Sequence, residues 1–339
     1  MAVAPLGTRA APTSATAGPP ANLPGDRERD RDRDRIARRD RRGRRVVALT
    51  PAMLLIPATA VLLVIIGWPL VQLLVISFQE FGRAQVFGAP APFVGFDNYA
   101  DVLGDATFWE VLGRSILFAA ANVILAMGLG TLVALLMTRL ARALRLLVSV
   151  GLLLAWAMPA LTAVVVWGWM FDTQFGVINY LLSQLPGVDM IGHSWLIDPL
   201  SFFGVATVII TWQSVPFVAF TIYAGLTQVP TEVLEAAQLD GANGFARFRF
   251  IVFPYLKSIF LVVTILQVIW DMRVFTQIYA LQGIGGIREQ TSTIGVYIYQ
   301  VSVGSGDFAA GGAIAVILVV IMMAISAYYV RASIKEEQL

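Results

Sequence analysis

Between two strongly apolar runs of the chain lies the short polar stretch Glu235-Ala236-Ala237-Gln238-Leu239-Asp240-Gly241-Ala242. This stretch predicts a helix, because it contains two adjacent alanines and alanine has the highest helix propensity. Gly241 can adopt a positive φ, which would end the helix tightly. Pro230 marks the entry to the helix, and Thr231 is the expected N-cap.

The predicted helix carries a face of small side chains. Residues three and four apart lie on the same side of a helix, and here they are Val233, Ala236, Ala237 and Asp240. Such a face suits docking into a groove of a partner protein. A loop helix without any partner is the alternative interpretation of the same pattern.

The composition of the chain is that of a membrane protein. Of its 339 residues, 58% are hydrophobic and 14% are charged, and the mean hydropathy is +0.74. The absence of cysteine excludes disulfides and thiolate metal sites, and a single histidine, His193, argues against a histidine-based metal or acid–base site. We therefore expect no catalytic residue and no bound metal. The net charge of +2 does not indicate nucleic-acid binding.

Residues 1–45 differ in composition from the rest of the chain. Small residues and proline dominate residues 1–25, whereas residues 26–45 mix arginine with aspartate and end in an arginine-rich run. A segment of this kind buries too little apolar surface to offset the entropy of ordering, so it is predicted to be a disordered tail. The tail either contacts anionic lipid and directs the topology, or it is simply solvated.

Residues 46–335 form the predicted membrane domain, surrounded by lipid. They contain six apolar segments that are each long enough to cross a bilayer. The predicted spans are residues 50–78, 115–138, 146–171, 202–227, 251–279 and 308–330. The expected fold class is therefore an all-α integral membrane protein with six transmembrane helices.

Basic residues lie at alternate ends of these spans. Arginine and lysine cluster around residues 35–45, 139–145, 247–257 and 331–335, while the opposite loops hold mainly aspartate and glutamate. Basic residues concentrate in cytoplasmic loops of membrane proteins. The distribution therefore predicts that both termini and the stretch around Glu235 lie in the cytoplasm.

The stretch at residues 235–242, continued by Arg247-Phe248 and closed by Ile251-Val252-Phe253-Pro254, resembles the EAA loop in permease subunits of bacterial ABC importers. Its Asp-Gly-Ala form is similar to that of carbohydrate importers of the maltose, glycerol-phosphate and trehalose type. Segments such as residues 171–179 and Gly306-Asp307-Phe308 resemble loops at the same places in these permeases. The resemblance runs from about Pro51 to Tyr329.

The resemblance implies a type I ABC importer permease fold, in which residues 230–254 form a cytoplasmic loop with a coupling helix. It assigns contact with the ATPase to Glu235, Ala236, Ala237, Asp240, Gly241 and Ala242. It implies a location in the bacterial inner membrane. The implied partners are a second homologous permease, a dimer of ATP-binding subunits, an extracytoplasmic solute-binding protein and a carbohydrate substrate.

The resemblance also implies that ATP and Mg are bound by the partner ATPase and that this chain binds no cofactor. The residues agree with that division of labour, because no Gly-x-x-x-x-Gly-Lys-Ser/Thr phosphate loop occurs in the sequence. The chain is therefore expected to be a translocation subunit that is not itself an enzyme.

Polar and aromatic residues in the fourth and fifth spans are the candidates for a solute path, because amides and aromatic faces suit sugar rings. They are Trp212, Gln213, Gln267, Trp270, Asp271 and Arg273. Asp271 and Arg273 are two residues apart, so they cannot share one helical face. The alternatives are a salt bridge between helices or at the membrane interface for the charged residues, and membrane anchoring for the tryptophans.

Two other functions compete with that of an ABC permease. A self-sufficient ion-coupled transporter needs intramembrane carboxylates that titrate or bind cations, and Asp271 is the one clear candidate in the sequence. An intramembrane enzyme needs a nucleophile with a base, or a set of metal ligands, and the single histidine and missing cysteine argue against both. The permease is therefore the predicted function, with the ion-coupled transporter as the alternative.

Overall fold

The computed structural model describes residues 55–337, with side chains described for residues 55–331. The predicted disordered tail at residues 1–45 and the start of the first predicted span lie outside these residues. The chain divides into two units, Met1–Leu70 and Val71–Leu339. The described part of the first unit is helical, and its side chains are exposed apart from the half-exposed Gly67.

Apart from two isolated bridges, the described residues form helices joined by turns and loops. In chain order the helices are α1 (Leu55–Ser77), α2 (Arg83–Val86), α3 (Asp97–Gly104), α4 (Ala106–Arg139), α5 (Arg142–Ala157), α6 (Ala160–Met170), α7 (Val177–Leu182), α8 (Pro199–Leu226), α9 (Thr231–Leu239), α10 (Gly244–Tyr255), α11 (Lys257–Met272), α12 (Thr276–Ile284), α13 (Arg288–Thr291), α14 (Ile294–Gly304) and α15 (Phe308–Glu337).

Four of these helices, α1, α4, α8 and α15, are each long and apolar enough to cross a membrane. Two bent pairs are further candidates: α5 and α6 meet at 104°, and α10 and α11 meet at 78°. When each bent pair is taken as one span, the described residues hold all six predicted spans. The third and fifth spans are therefore bent rather than continuous helices.

Two helical segments differ in extent from the predicted spans. The helix of the second span begins at Ala106, before the predicted Ser115, because the Asp105 carboxylate accepts the Thr107 N–H at 2.8 Å and caps the helix there. The same hydrogen bond lowers the pKa of Asp105 below its usual value.

The helix of the fifth span, α11, ends at Met272, before the predicted Tyr279. The backbone leaves the helical region over the next residues, with Phe275 at φ −123° and ψ −58°. The Val274 carbonyl, which no longer has a helical partner, accepts a hydrogen bond from the Thr293 hydroxyl at 3.3 Å. The residues after this interruption form the separate helix α12.

The bend between α5 and α6 follows from Pro159. A residue before proline is disfavoured in the helical region, and Met158 has an extended ψ of 126°. The Met158 carbonyl then accepts a hydrogen bond from Gln213 Nε2 of α8 at 3.2 Å. Membrane proteins tolerate such breaks where a neighbouring helix supplies the missing partner.

The helices α4 and α8 make the most extensive helix–helix contact in the described residues. A small-residue stripe on α4, formed by Ala126, Gly130 and Ala134 at successive i+4 positions, lies in this contact. A Cβ built on Gly130 would lie only 2.6 Å from the Cβ of Val218 on α8. The two helix backbones therefore approach as closely as they do because residue 130 has no side chain.

We expect Gly130→Ala to destabilise the protein by about 1–3 kcal/mol, because the added methyl group overlaps Val218. Gly128→Ala on the same helix is the matched control, since no atom lies within 4 Å of a Cβ at that position. Thermal unfolding of the detergent-solubilised chain, followed by tryptophan fluorescence, measures the difference. Equal melting temperatures for the two variants would contradict the close packing of α4 on α8.

Candidate functional site

The stretch at residues 235–242 folds as the end of α9 followed by a glycine turn. Gly241 has a φ of 82°, in the left-handed region that favours glycine. Its N–H donates to the Gln238 carbonyl at 3.1 Å, and the Ala242 N–H donates to the Ala237 carbonyl at 2.9 Å. These two bonds form a Schellman motif. The predicted helix and its termination by Gly241 are thus confirmed.

The start of α9 differs from the prediction. Thr231 is the first helical residue, and Pro230 occupies the N-cap position without any side-chain cap hydrogen bond. The prediction of Thr231 as N-cap is therefore wrong. The cause is Pro230. Its φ of −60° and ψ of 131° are those of the extended residue that precedes a helix, so the N-cap lies one position earlier than predicted.

One face of α9 rests on an apolar seat in the same unit. The buried members of this seat are Val229, Val252 and Leu256, and Leu234 of α9 packs against them. Leu256 is also the corner residue between α10 and α11. The seat therefore links α9 to the end of α8 and to the bend of the fifth span.

Polar contacts fix the chain that follows the turn. The Arg247 guanidinium donates to the Gln238 side-chain oxygen at 3.2 Å, which ties α10 back to α9. The Asn243 side chain accepts the Ala246 N–H at 2.8 Å and caps the start of α10. The segment from α9 to α10 is thus held by both apolar and polar contacts.

The opposite face of α9 is exposed. At 100° per residue the exposed side centres on Ala236, and its members, which we call the docking face, are Glu232, Val233, Glu235, Ala236, Leu239 and Asp240. Leu239 is 90% exposed and Val233 is 46% exposed. Exposed apolar side chains rimmed by carboxylates are typical of a protein interaction site. Ala237, also predicted on this face, is half-buried.

A cavity of about 230 Å³ lies among α5, α6, α8, α11 and α12, and we call it the polar cavity because amide, hydroxyl and carboxyl side chains line part of it. Three of the six predicted solute-path residues line it. They are Gln213, Trp270 and Asp271. Asp271 is 4% exposed, and its Oδ2 atom has no hydrogen-bond partner within the described chain. Buried carboxylate oxygens normally accept hydrogen bonds, so the Asp271 side chain, which lines the cavity, keeps acceptor capacity that the described chain does not use.

The other three predicted residues lie elsewhere. Trp212 lines a separate, apolar cavity of about 660 Å³, with its ring 5.9 Å from that of Trp167. Gln267 is fully buried and lines neither of these cavities. Arg273 is exposed just after α11, whereas Asp271 is buried, in agreement with the expectation that the two do not share a face.

Further residues of the polar cavity were not among the predicted ones, and two of them, Gln277 and Trp156, have side chains that suit a sugar. Gln277 donates through Nε2 to the Gln213 side-chain oxygen at 3.1 Å, and Trp156 adds an aromatic face. Helical spacing from Asp271 does not locate Gln277, because the helix is interrupted between them. The available signal was Pro159, which predicts a break in α5–α6 and hence unpaired backbone groups that attract polar side chains.

The loop after α6 is built around two polar side chains. The Asp172 carboxylate accepts the N–H groups of Phe175 at 2.8 Å and Gln174 at 2.9 Å, and these bonds hold the pKa of Asp172 below its usual value. Asn179 is buried and donates to the His193 carbonyl at 2.9 Å. These contacts order the loop while Phe175 stays 89% exposed.

Residues 126–335 match the family described as binding-protein-dependent transport system inner membrane component. The chain belongs to this permease family. Over 300 residues the permease is 42% identical to the diacetylchitobiose uptake system permease protein of Streptomyces coelicolor, covering 88% of this chain and 91% of that protein. Over 279 residues it is 32% identical to the trehalose/maltose transport system permease protein of Thermococcus litoralis, covering 82% of this chain and 92% of that protein.

A solved structure has the same fold as the permease. It is a chain of a bacterial ABC transporter involved in the import of the acidic polysaccharide alginate, with a TM-score of 0.69 and 18% identity. The match covers 89% of the permease and 99% of that chain. These findings confirm the predicted resemblance and the type I ABC importer permease fold, and they place the chain among several-span inner-membrane proteins.

We expect Gly241→Ala to loosen the turn after α9 in the permease, because an L-residue at this φ is strained by about 1–2 kcal/mol. The amide of Ala242 should then exchange its hydrogen at least about fivefold faster, as measured by hydrogen–deuterium exchange of the peptide that spans the turn. Gly244→Ala is the control, because the nearest atom to a Cβ there is Arg139 Nη2 at 3.7 Å. An unchanged exchange rate in Gly241→Ala would show that the turn does not depend on glycine.

Proposed function

We propose that the permease is the transmembrane subunit of an ATP-driven sugar importer. Its partners in this proposal are a second homologous permease, a dimer of ATP-binding subunits that holds ATP and Mg, and an extracytoplasmic solute-binding protein. Sugars are named in several relatives, including the diacetylchitobiose and trehalose/maltose permeases. The chain itself binds no cofactor and catalyses no reaction.

The proposed organisation follows the sequence prediction. Residues 46–335 form the six-span domain, residues 230–254 form its coupling loop, and residues 1–45 form a cytoplasmic tail. The distribution of arginine and lysine supports a topology in which both termini and α9 face the cytoplasm. The ordered loop around Asp172 then faces the outside, where its exposed Phe175 is available to the solute-binding protein.

The observation that carries the proposal is the way α9 is held. Its inner face rests on the apolar seat, its end is closed by the Schellman motif, and its docking face is exposed. A helix fixed in this manner moves as one body with the bent fifth span. We infer that an ATPase docks on Ala236 and Leu239, that Glu235 makes a polar contact with it, and that its closure is transmitted to the spans.

The polar cavity supports a sugar path. Gln213 and Gln277 supply amide groups, Asp271 supplies an unpaired carboxylate oxygen, and Trp156 and Trp270 supply aromatic faces. Sugar hydroxyls donate and accept hydrogen bonds, while the C–H faces of sugar rings stack on indole rings. We propose that these residues contact the solute, and that Trp212, Gln267 and Arg273 lie outside the path.

We expect Glu235→Lys to lower the amount of ATPase that copurifies with the permease by about tenfold, because the reversed charge opposes a polar contact at the docking face. The variant should still fold, since Glu235 is exposed. Glu80→Lys, at an exposed carboxylate in the loop after α1, is the matched control.

The measurement is affinity purification from native membranes in mild detergent, with ATP hydrolysis and mass spectrometry used to identify the subunits. A wild-type chain that purifies alone and moves solute with an ion gradient would contradict the importer and favour the ion-coupled transporter. Equal ATPase recovery with Glu235→Lys and Glu80→Lys would contradict only the role of Glu235.

We expect Asp271→Asn to reduce sugar uptake about tenfold without changing the recovery of partner subunits, because an amide replaces one of the two acceptor oxygens of the carboxyl group and a hydrogen bond to the sugar is lost. Asp101→Asn, at an exposed carboxylate of α3, is the control. Uptake is measured in vesicles with the sugar that the copurified binding protein carries. Normal uptake by Asp271→Asn would exclude this carboxylate from the path.

A further inference from the structure

A cavity of about 460 Å³ lies behind α9, on the side opposite its docking face. It is lined by the end of α4, the start of α5, the end of α8 and the segment from α9 to α10. Three arginines from three different helices line it: Arg139 of α4, Arg145 of α5 and Arg247 of α10. None of the described residues that line it is an aspartate or a glutamate.

Arg145 is fixed by contacts within the protein, and some of its N–H groups make no hydrogen bond there. Its Nη2 donates to the Leu140 carbonyl at 3.0 Å, and its guanidinium carbon lies 5.8 Å from the centre of the Tyr223 ring. Its Nε atom is buried and has no hydrogen-bond partner within the described chain. The single hydrogen bond to Leu140 leaves other N–H groups of this guanidinium for an acceptor in the cavity that Arg145 lines.

The other two arginines complete a cationic lining. Arg247 is half-buried and uses Nη1 to contact Gln238, which leaves its other N–H groups for a ligand. Arg139 is the last residue of α4, and its Nη2 lies 3.7 Å from a Cβ built on Gly244 of α10. Three forked donors around one cavity match a ligand with several negatively charged oxygens.

The position of the cavity favours a ligand at the membrane surface. Two membrane-spanning helices end beside it, α4 at Arg139 and α8 at Leu226, and both residues line the cavity. The remaining lining includes apolar side chains such as Leu135 and Val252. Leu234 lines the cavity from the seat side of α9, so an ATPase on the docking face does not fill it.

We propose that this arginine-lined cavity binds a phosphate group, carried by an anionic phospholipid headgroup or present as a free anion. Basic pockets between membrane spans bind lipid headgroups through the same chemistry. The bound phosphate connects α4, α5 and α10 through their arginines. It therefore holds the loop that carries α9 against the ends of the spans.

The test uses the full-length permease with whatever subunits copurify with it. After reconstitution into vesicles of phosphatidylcholine with phosphatidylglycerol, native mass spectrometry measures the phosphatidylglycerol that stays bound. We expect a roughly tenfold loss of this lipid in the double variant Arg145→Gln/Arg247→Gln. The single variant Arg139→Gln should lose it partly, and this variant will fold because Arg139 is exposed.

Matched controls are Arg142→Gln and Arg249→Gln, two exposed arginines of α5 and α10 that do not line the cavity. Both should retain the lipid.

A second experiment adds inorganic phosphate to lipid-depleted protein and measures the melting temperature. If phosphate raises the melting temperature while phosphatidylglycerol does not bind, the free anion is the ligand. Equal lipid retention and equal phosphate response in the wild type and Arg139→Gln would overturn the proposal. A cross-link from position 145 to an ATPase carboxylate would also overturn it.

Discussion

Backbone N–H and C=O groups inside a membrane must find partners within the protein, because lipid chains offer none. The helices of the permease are interrupted at Pro159 and again after Met272, and the structure around these interruptions follows from that requirement. The carbonyl freed at Met158 is bonded by Gln213, and the carbonyl freed at Val274 is bonded by Thr293. The polar cavity with Asp271 lies where these breaks face each other.

The close packing of α4 on α8 provides a common support for both proposed sites, the polar cavity and the docking face. The small-residue stripe of α4 lets the two helices approach closely beside Val218, and α8 carries Gln213 in its interior. At its end α8 leads into Val229 and the seat of α9. The solute cavity and the docking face are therefore attached to the same long helix. A displacement of α9 can reach Gln213 through rigid, packed elements.

The parts of this structure that follow local rules could be predicted from the sequence. The six apolar segments, the alanine-rich helix and the turn at Gly241 each depend on residues close in the chain. Features set by neighbouring helices could not be predicted. Trp212 and Gln213 are consecutive and therefore about 100° apart on α8, so one faces an apolar cavity and the other a polar one. Which of the two belongs to a solute path depends on the helices packed around them, which helical periodicity does not specify.

The bend at Pro159 also has a consequence for the biogenesis of the permease. The helices α5 and α6 contain 16 and 11 residues, and each is shorter than the roughly 20 residues that a straight helix needs to cross a bilayer. The donor that satisfies the Met158 carbonyl is in α8, which the ribosome makes later. The hydrogen bond that satisfies the break in the third span therefore forms only after α8 has been synthesised.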